Sequence, residues 1–276
     1  MAVTQADRGA AFQALHRRQQ PFVVANAFDA GTARLLASLG FEALATTSAG
    51  LAFSLGRRDG AASREETLSN CQQICAATDL PVSADLENGF ADDPRQAAET
   101  IRLGSEAGLV GGSVEDATGN AAAPIYDFTL AVERVHAAAE VARSLPFPFT
   151  LTARAENFLH GRRDLDDTVR RLQAFEKAGA DVLYAPFLPD VESIRTVVSS
   201  VSKPVNVLVS SGNANLTYEV LASLGVRRIS VGGAFARAAL TAVMTAAQEI
   251  KERGTFTYGS NLVPVSRLNE IFRERG

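Results

Sequence analysis

Residues 81–90, Pro81-Val82-Ser83-Ala84-Asp85-Leu86-Glu87-Asn88-Gly89-Phe90, read as a short apolar strand that runs into two carboxylates, an amide and a glycine. Pro81 opens the strand, where a missing N–H costs least, and Val82 and Ala84 supply buried surface. Asp85 and Glu87 lie two residues apart, which puts both carboxylates on one side of the strand end. Two like charges that close repel unless a cation or a shared proton sits between them, and a hard cation such as Mg²⁺ suits oxygen ligands of this kind. A solvated acidic turn explains the same stretch equally well. The rest of the chain decides between the two.

The unit recurs. A helix-like run from Pro94 to Ala107 follows the strand and stops at Gly108, and seven more strand–helix pairs keep that rhythm. The strands read as 22–26, 42–46, 81–85, 112–115, 149–153, 181–185, 204–208 and 228–231. The helices behind them read as 30–39, 64–77, 94–107, 128–143, 165–178, 191–199, 216–224 and 234–253. Strands this apolar, each followed by a helix, belong to a parallel sheet covered on its outer face. Eight of them predict an α/β fold closed as a (β/α)8 TIM barrel. No linker, internal repeat or low-complexity tract divides the chain, so residues 1–276 are expected to form one barrel domain. Within residues 1–20, Ala10 to Gln20 predicts a helix on the barrel floor. Residues 255–276 form a C-terminal extension with Leu268, Ile271 and Phe272 on one helix side. A barrel closes without that apolar tail, so it predicts subunit contacts in a homo-oligomer, a dimer or tetramer.

Composition narrows the class. A formal charge of −4, with no basic stripe interleaved with aromatics, argues against a nucleic-acid partner. No run reaches the ~18 apolar residues of a membrane span. The first residues lack the basic and apolar regions of a secretory signal, so a cytoplasmic protein is expected. Cys71 and Cys75 lie one helical turn apart with no further soft ligand nearby, and read as small buried residues. His16, His136 and His160 are too scattered for a zinc site.

In such barrels the reactive groups gather at the C-terminal ends of strands. Those ends carry Asn26 and Asp29; Ser48-Ala49-Gly50 with Asp59 beyond; Asp85, Glu87 and Asn88; Glu115-Asp116; Arg154, Glu156 and Asn157; and Asn206. That many carboxylates on one rim need a cation and an arginine to balance them. Small residues at Ser48, Ala49 and Gly50 let backbone N–H groups approach a carboxylate or enolate oxygen, though an ordinary βα turn has the same composition. Val231-Gly232-Gly233, with Ser210-Ser211-Gly212-Asn213, is a rival anion site of the phosphosugar-barrel kind.

In this order, Phe28-Asp29-Ala30 with Ala33-Arg34, Ser48-Ala49-Gly50 with Ser54-Leu55-Gly56 and Asp59, and Asp85-Leu86-Glu87-Asn88-Gly89 form a specific set with two later pieces. These are Ser113-Val114-Glu115-Asp116 and Ala153-Arg154-Ala155-Glu156. The set resembles the phosphoenolpyruvate mutase and isocitrate lyase superfamily over nearly the whole chain. The resemblance implies a barrel whose eighth helix is exchanged between subunits, usually in a tetramer built from dimers. It also implies Mg²⁺, with Mn²⁺ as a substitute, bound to a small 2-oxo or 2-hydroxy carboxylate. Carried over by position, Asp85 ligates the metal directly, and Glu87 and Glu115 hold it through water. Ser48, Ala49 and Gly50 hold substrate oxygens, joined by Asn206, and Arg154 grips the carboxylate. Asp59 lines the pocket and is the candidate base, completing a catalytic set with Glu115 and Arg154.

Departures from that pattern bear on the reaction. Isocitrate and methylisocitrate lyases carry a Lys-Lys/Arg-Cys-Gly-His loop shortly after the acidic pair. This chain has neither the loop nor its thiol, because both cysteines precede the acidic strand. Mutases and phosphonopyruvate hydrolases show a lysine and an asparagine after the Glu-Asp pair; here only Asn120 remains. The loop around Ser48 is shorter than in the mutases, and Glu87 stands where many relatives have Asp. The resemblance therefore implies a Mg²⁺-dependent carbon–carbon lyase or decarboxylase for a small 2-oxo or 2-hydroxy dicarboxylate, with water protonating the enolate. Action on a phosphorus–carbon bond is the first alternative. A barrel that binds a 2-oxo acid without turnover is the second.

Overall fold

Asp, Ser and Thr residues start the helices, as their side chains compete for first-turn N–H groups. Asp29, Ser63, Asp93, Asp127, Asp164, Asp190 and Thr217 each cap a helix this way. The structure, a computed structural model, describes residues 3–210 and 215–273. Its strands are β1 (Phe22–Asn26), β2 (Ala43–Ala45), β3 (Val82–Asp85), β4 (Gly111–Glu115), β5 (Thr150–Arg154), β6 (Val182–Tyr184), β7 (Val205–Leu208) and β8 (Arg228–Ser230). Each pairs in parallel with the next, and β8 closes on β1. The closed eight-stranded barrel agrees with the rhythm of the sequence.

The helices are α1 (Gln5–Arg17), α2 (Ala30–Ser38), α3 (Ser48–Ser54), α4 (Arg64–Ala77), α5 (Pro94–Glu106), α6 (Phe128–Ser144), α7 (Leu165–Ala178), α8 (Val191–Ser200), α9 (Tyr218–Ser223), α10 (Ala234–Arg253) and α11 (Val265–Ile271). Three differ from expectation. α3 occupies what reads as a turn. α9 starts late, where Thr217 caps it. α1 starts at Gln5 and ends at Arg17 rather than spanning 10–20, because Thr4 and Asp7 form a capping box: Asp7 N–H donates to Thr4 Oγ1 at 3.1 Å, and Thr4 N–H to Asp7 Oδ2 at 3.0 Å.

α1 does lie on the floor. Phe12 and Leu15 pack with Phe22, Val24, Ala43 and Val110 at the strand starts. Gly9 lets the helix sit close, since a Cβ there would lie 2.3 Å from the Pro148 carbonyl oxygen. Gly9→Ala should therefore destabilise the fold by about 1–3 kcal/mol, read as a lower denaturant midpoint; an unchanged midpoint would contradict this seating.

The other end of the chain is little covered. Ala236 is the only residue of α10 that is buried, while Leu240, Val243, Met244 and Ile250 are exposed. Phe256, Leu262, Val263 and Val265 continue the exposed apolar surface. α11 lies against α2, with Leu268 and Ile271 half-buried. Among the described residues no helix is long and apolar enough to cross a membrane.

Candidate active site

Strand register assembles the site. Asp85 pairs with Ser113, Glu115 with Arg154, and Arg154 with Tyr184, so the ends of β3 to β6 bring acids to either side of one arginine. Arg154 Nη1 donates to Asp85 Oδ1 at 2.8 Å and lies 3.1 Å from Glu115 Oε2. Its Nε donates to Glu156 Oε1 at 2.8 Å, and the guanidinium lies 5.1 Å from the centre of the Tyr184 ring. Burial opposes the charge on Arg154, but Glu115, Glu156 and Asp85 outweigh it and hold the group firmly protonated.

The acids are less comfortable. Burial first, then Asp85 and Asp59, push Glu87 up to about 7. Burial pushes Glu156 up to about 7 against the pull of Arg154, and it pushes Glu115 well up in the same way. Glu87 meets Asp85 by a different route from the one the pleat suggests. β3 ends at Asp85, and Glu87 turns with φ +48°, its N–H donating to Asp85 Oδ1 at 3.3 Å. A turn, rather than a shared strand face, makes the pair.

Ser48 opens α3 under the Thr47 cap, so the predicted turn is a helix start. Its Oγ donates to Asp85 Oδ2 at 3.0 Å and its N–H to the same oxygen at 3.3 Å. Ser48, Ala49, Asp59, Asp85, Arg154 and Asn206 all line one cavity of 370 Å³ at the strand ends. Gly50, Glu87 and Glu115 are not among its lining residues. Gly50 is closed off by Phe28 and Thr47, each 2.6 Å from where a Cβ would lie.

The family model described as phosphoenolpyruvate phosphomutase matches residues 12–251. The chain belongs to this family. A crystal structure of a Burkholderia cenocepacia protein provisionally assigned as a lyase or mutase is 56% identical, with a TM-score of 0.96, covering 98% of this chain and 97% of that one. The oxaloacetate decarboxylase of Pseudomonas putida is 28% identical, the match covering 84% of this chain and 81% of the relative. A phosphonopyruvate hydrolase, solved in complex with oxalate and Mg²⁺, shares the fold at 23% identity and a TM-score of 0.84, over 97% of this chain and 94% of that one.

The remaining rim residues of this phosphomutase-family barrel divide between site and scaffold. Asp29 caps α2, accepting from Thr32 N–H at 2.7 Å. Asp116 is buried, accepting from Glu156 N–H at 2.7 Å and pairing with Arg171 at 3.1 Å; burial raises it to about 6. Asn157 donates to Asp167. Asn26 Oδ1 accepts from the N–H groups of Val231 and Gly232, both at 2.9 Å, which spends two donors of the rival anion site. Of the small loop beside them, Ser210 lines the cavity, and Ser211, Gly212 and Asn213 lie outside the described residues. Asn206 has both amide ends engaged, its Oδ1 by Arg228 Nε and its Nδ2 by Ser230 Oγ. His160 is exposed, and partial burial with Arg154 nearby lowers it.

Sequence reading passed over Tyr184, Arg228 and Phe187, which all line the cavity. Tyr184 and Arg228 fall at inward positions of β6 and β8, a signal available once the strand registers are known. Phe187, with φ +60°, leaves no signal in sequence. Cys71 and Cys75 are buried in α4, and burial pushes both thiols up, Cys75 to about 12. Cys71→Ala should leave turnover unchanged while costing on the order of 1 kcal/mol of stability; a fall in kcat with intact fold would give that thiol a role.

The donor set suits a divalent metal. Asp85, Glu87, Glu115 and Glu156 surround a single guanidinium, and Glu87 Oε1 and Glu156 Oε2 are buried with no partner. Such an excess of hard oxygen donors is what a divalent cation offsets. Among the described residues no three His, Cys, Asp or Glu side chains form a ready-made cage. Mg²⁺ does not require one, because it takes one or two carboxylates and keeps several waters.

Proposed function

We propose that this chain is a Mg²⁺-dependent lyase or decarboxylase that breaks a carbon–carbon bond in a small 2-oxo or 2-hydroxy dicarboxylate. The observation that carries the reading is the excess of carboxylates around Arg154, one of them hydrogen-bonded to Ser48, at the wall of one cavity. Asp85 would hold the metal directly, with Glu87 and Glu115 behind it. Bound there, Mg²⁺ supplies Lewis acidity to the substrate's carboxylate and C2 oxygen. Arg154 orients the carboxylate by charge and hydrogen bonding. The Ser48 hydroxyl and N–H donate to Asp85 Oδ2; with that oxygen given to the metal they would be released to the developing negative charge and favour the transition state over the ground state. Asp59, exposed at the mouth, takes the proton of a 2-hydroxy substrate. No thiol lines the cavity among the described residues, so water returns the proton to carbon.

The site favours this reading over phosphorus–carbon chemistry. Asn120, the residue kept from the mutase pattern, is exposed, outside the cavity wall, and its Oδ1 accepts from Ala122 N–H at 3.0 Å. We further propose that residues 1–276 act as one barrel unit whose α10 and C-terminal extension pack on a neighbouring subunit. Their exposed apolar side chains are the reason. Light scattering at micromolar concentration should report a dimer or tetramer.

The activity test is direct. Purified protein with Mg²⁺ is screened for pyruvate release from oxaloacetate and methylmalates, and for phosphate release from phosphonopyruvate. Pyruvate release abolished by chelation is the expected result. Phosphate release alone, or no product with any of them, would overturn the reading.

A further inference from the structure

The segment between β3 and α5, residues 86–93, forms neither helix nor strand, yet it is gripped from behind at four carbonyl groups. Arg134 of α6 supplies most of the grip. Its Nη1 donates to the carbonyls of Ala91 at 2.5 Å and Asp92 at 2.6 Å, and its Nη2 donates to the carbonyl of Asn88. Thr100 Oγ1 holds the fourth, that of Gly89, at 2.7 Å. Arg134 is 1% exposed, and takes backbone carbonyls rather than a carboxylate as its partners. Its guanidinium lies 4.2 Å from the centre of the Tyr126 ring. The Tyr126 hydroxyl in turn donates to Asp92 Oδ1 at 2.5 Å and accepts from Asn88 Nδ2 at 3.2 Å.

The gripped segment carries unfavourable backbone. Glu87 at φ +48° and Phe90 at φ +58° both occupy the left-handed region without being glycine. Conformations of that kind persist only where the surroundings over-determine them, and they gather at functional sites. Glu87 is anchored on its strand side, its carbonyl accepting from Glu115 N–H at 3.0 Å; the clamp holds the other side, and its release would let residues 88–92 relax toward ordinary φ values and loosen the turn at Glu87. A buried arginine spent on three loop carbonyls is therefore set to fix where one acid stands.

We propose that Arg134 and Tyr126 are positioning residues for the metal pocket, acting through the 86–93 segment to hold Glu87 against Asp85. The proposal rests on the Mg²⁺ reading above. It names residues on α6 and on the loop before it, neither of which lines the cavity.

The test measures Mg²⁺ affinity of the full-length, metal-free protein by titration calorimetry, beside thermal midpoints taken without metal. Arg134→Met should weaken Mg²⁺ binding about 10- to 100-fold, as loss of an outer-shell partner does. Arg134→Lys should restore part of that loss. Tyr126→Phe keeps the stacked ring, loses only the bridging hydroxyl, and should weaken binding by a smaller factor with little change in midpoint. Ile194→Ala, a core truncation in α8 remote from the segment, should lower the midpoint and leave Mg²⁺ affinity at the wild-type value. Wild-type affinity in both Arg134→Met and Tyr126→Phe overturns this proposal alone. Should Arg134→Met fail to fold, Tyr126→Phe decides. Absence of saturable Mg²⁺ binding by the wild-type chain overturns the metal reading, and this proposal with it.

Discussion

Asp85→Ala is expected to lower Mg²⁺-dependent turnover by about 10³-fold or more, while the circular dichroism spectrum and the thermal midpoint of the metal-free protein stay close to wild type. Both halves follow from the contacts of one side chain. Asp85 accepts from Arg154 on one oxygen and from Ser48 on the other, so its loss removes the proposed direct ligand and unsettles both of those neighbours. The fold is spared because Arg154 keeps Glu115 and Glu156 as partners and is not left as an unpaired buried charge. Removing Asp85 also takes away one of the charges that push Glu87 up, a relief that offsets part of the lost pairing. Asp85→Asn separates charge from shape: it keeps the volume, yet should be nearly as inactive. Turnover near wild type in either variant would sink the assignment of Asp85 to the metal.

The barrel was legible because its signal is repeated. Each βα unit has an apolar run, a capping residue and a stop, so errors of one or two residues at element ends leave the topology unchanged. The acids of the site were legible for a related reason, since strand ends of a barrel share one rim. What those acids do to each other was not. Asp29 and Asp116 read as rim carboxylates exactly as Asp85 does, and only the fold shows one spent on a helix cap and the other on Arg171. Glu87 was found for an incomplete reason: its two-residue spacing from Asp85 suggested a pleat, whereas a left-handed turn makes the contact. The helical start at Ser48 was hidden because Ser-Ala-Gly composition suits a turn and a first helical turn alike, and the Thr47 cap is recognised only when the next residues are known to wind. Arg134 lies in mid-helix, where sequence pattern predicts a solvated face or a surface pair. Its burial depends on a loop more than 40 residues away, and nothing local encodes that.

Acid should weaken the barrel floor through one histidine. His16 is 7% exposed, packed edge-on against Phe12 and Phe22, with Nδ1 donating to the Phe12 carbonyl and Nε2 without a partner. Burial first, and then the nearby charge of Arg228, lower it from 6.5 to about 3. Above pH 6.5 the ring is neutral in the folded and unfolded chain, and its contribution is fully present. Below that the unfolded chain takes up a proton that the native floor refuses, so stability falls by about 1.4 kcal/mol per pH unit. The loss approaches 2 kcal/mol at pH 5 and roughly 4–5 kcal/mol near pH 3. Glu87, Glu156 and Asp116 act in the opposite sense: raised in the fold, they take up protons in the native state first, and stabilise it as pH falls toward their unfolded values. The raw acid profile therefore mixes both signs, and the difference between wild type and His16→Asn isolates the floor. Urea unfolding from pH 7.5 to 4 should give a difference that is flat above pH 7 and declines below 6.5 at the stated slope. Parallel profiles over the whole range would mean that His16 is protonated in the fold, and that the floor tolerates its charge beside Arg228.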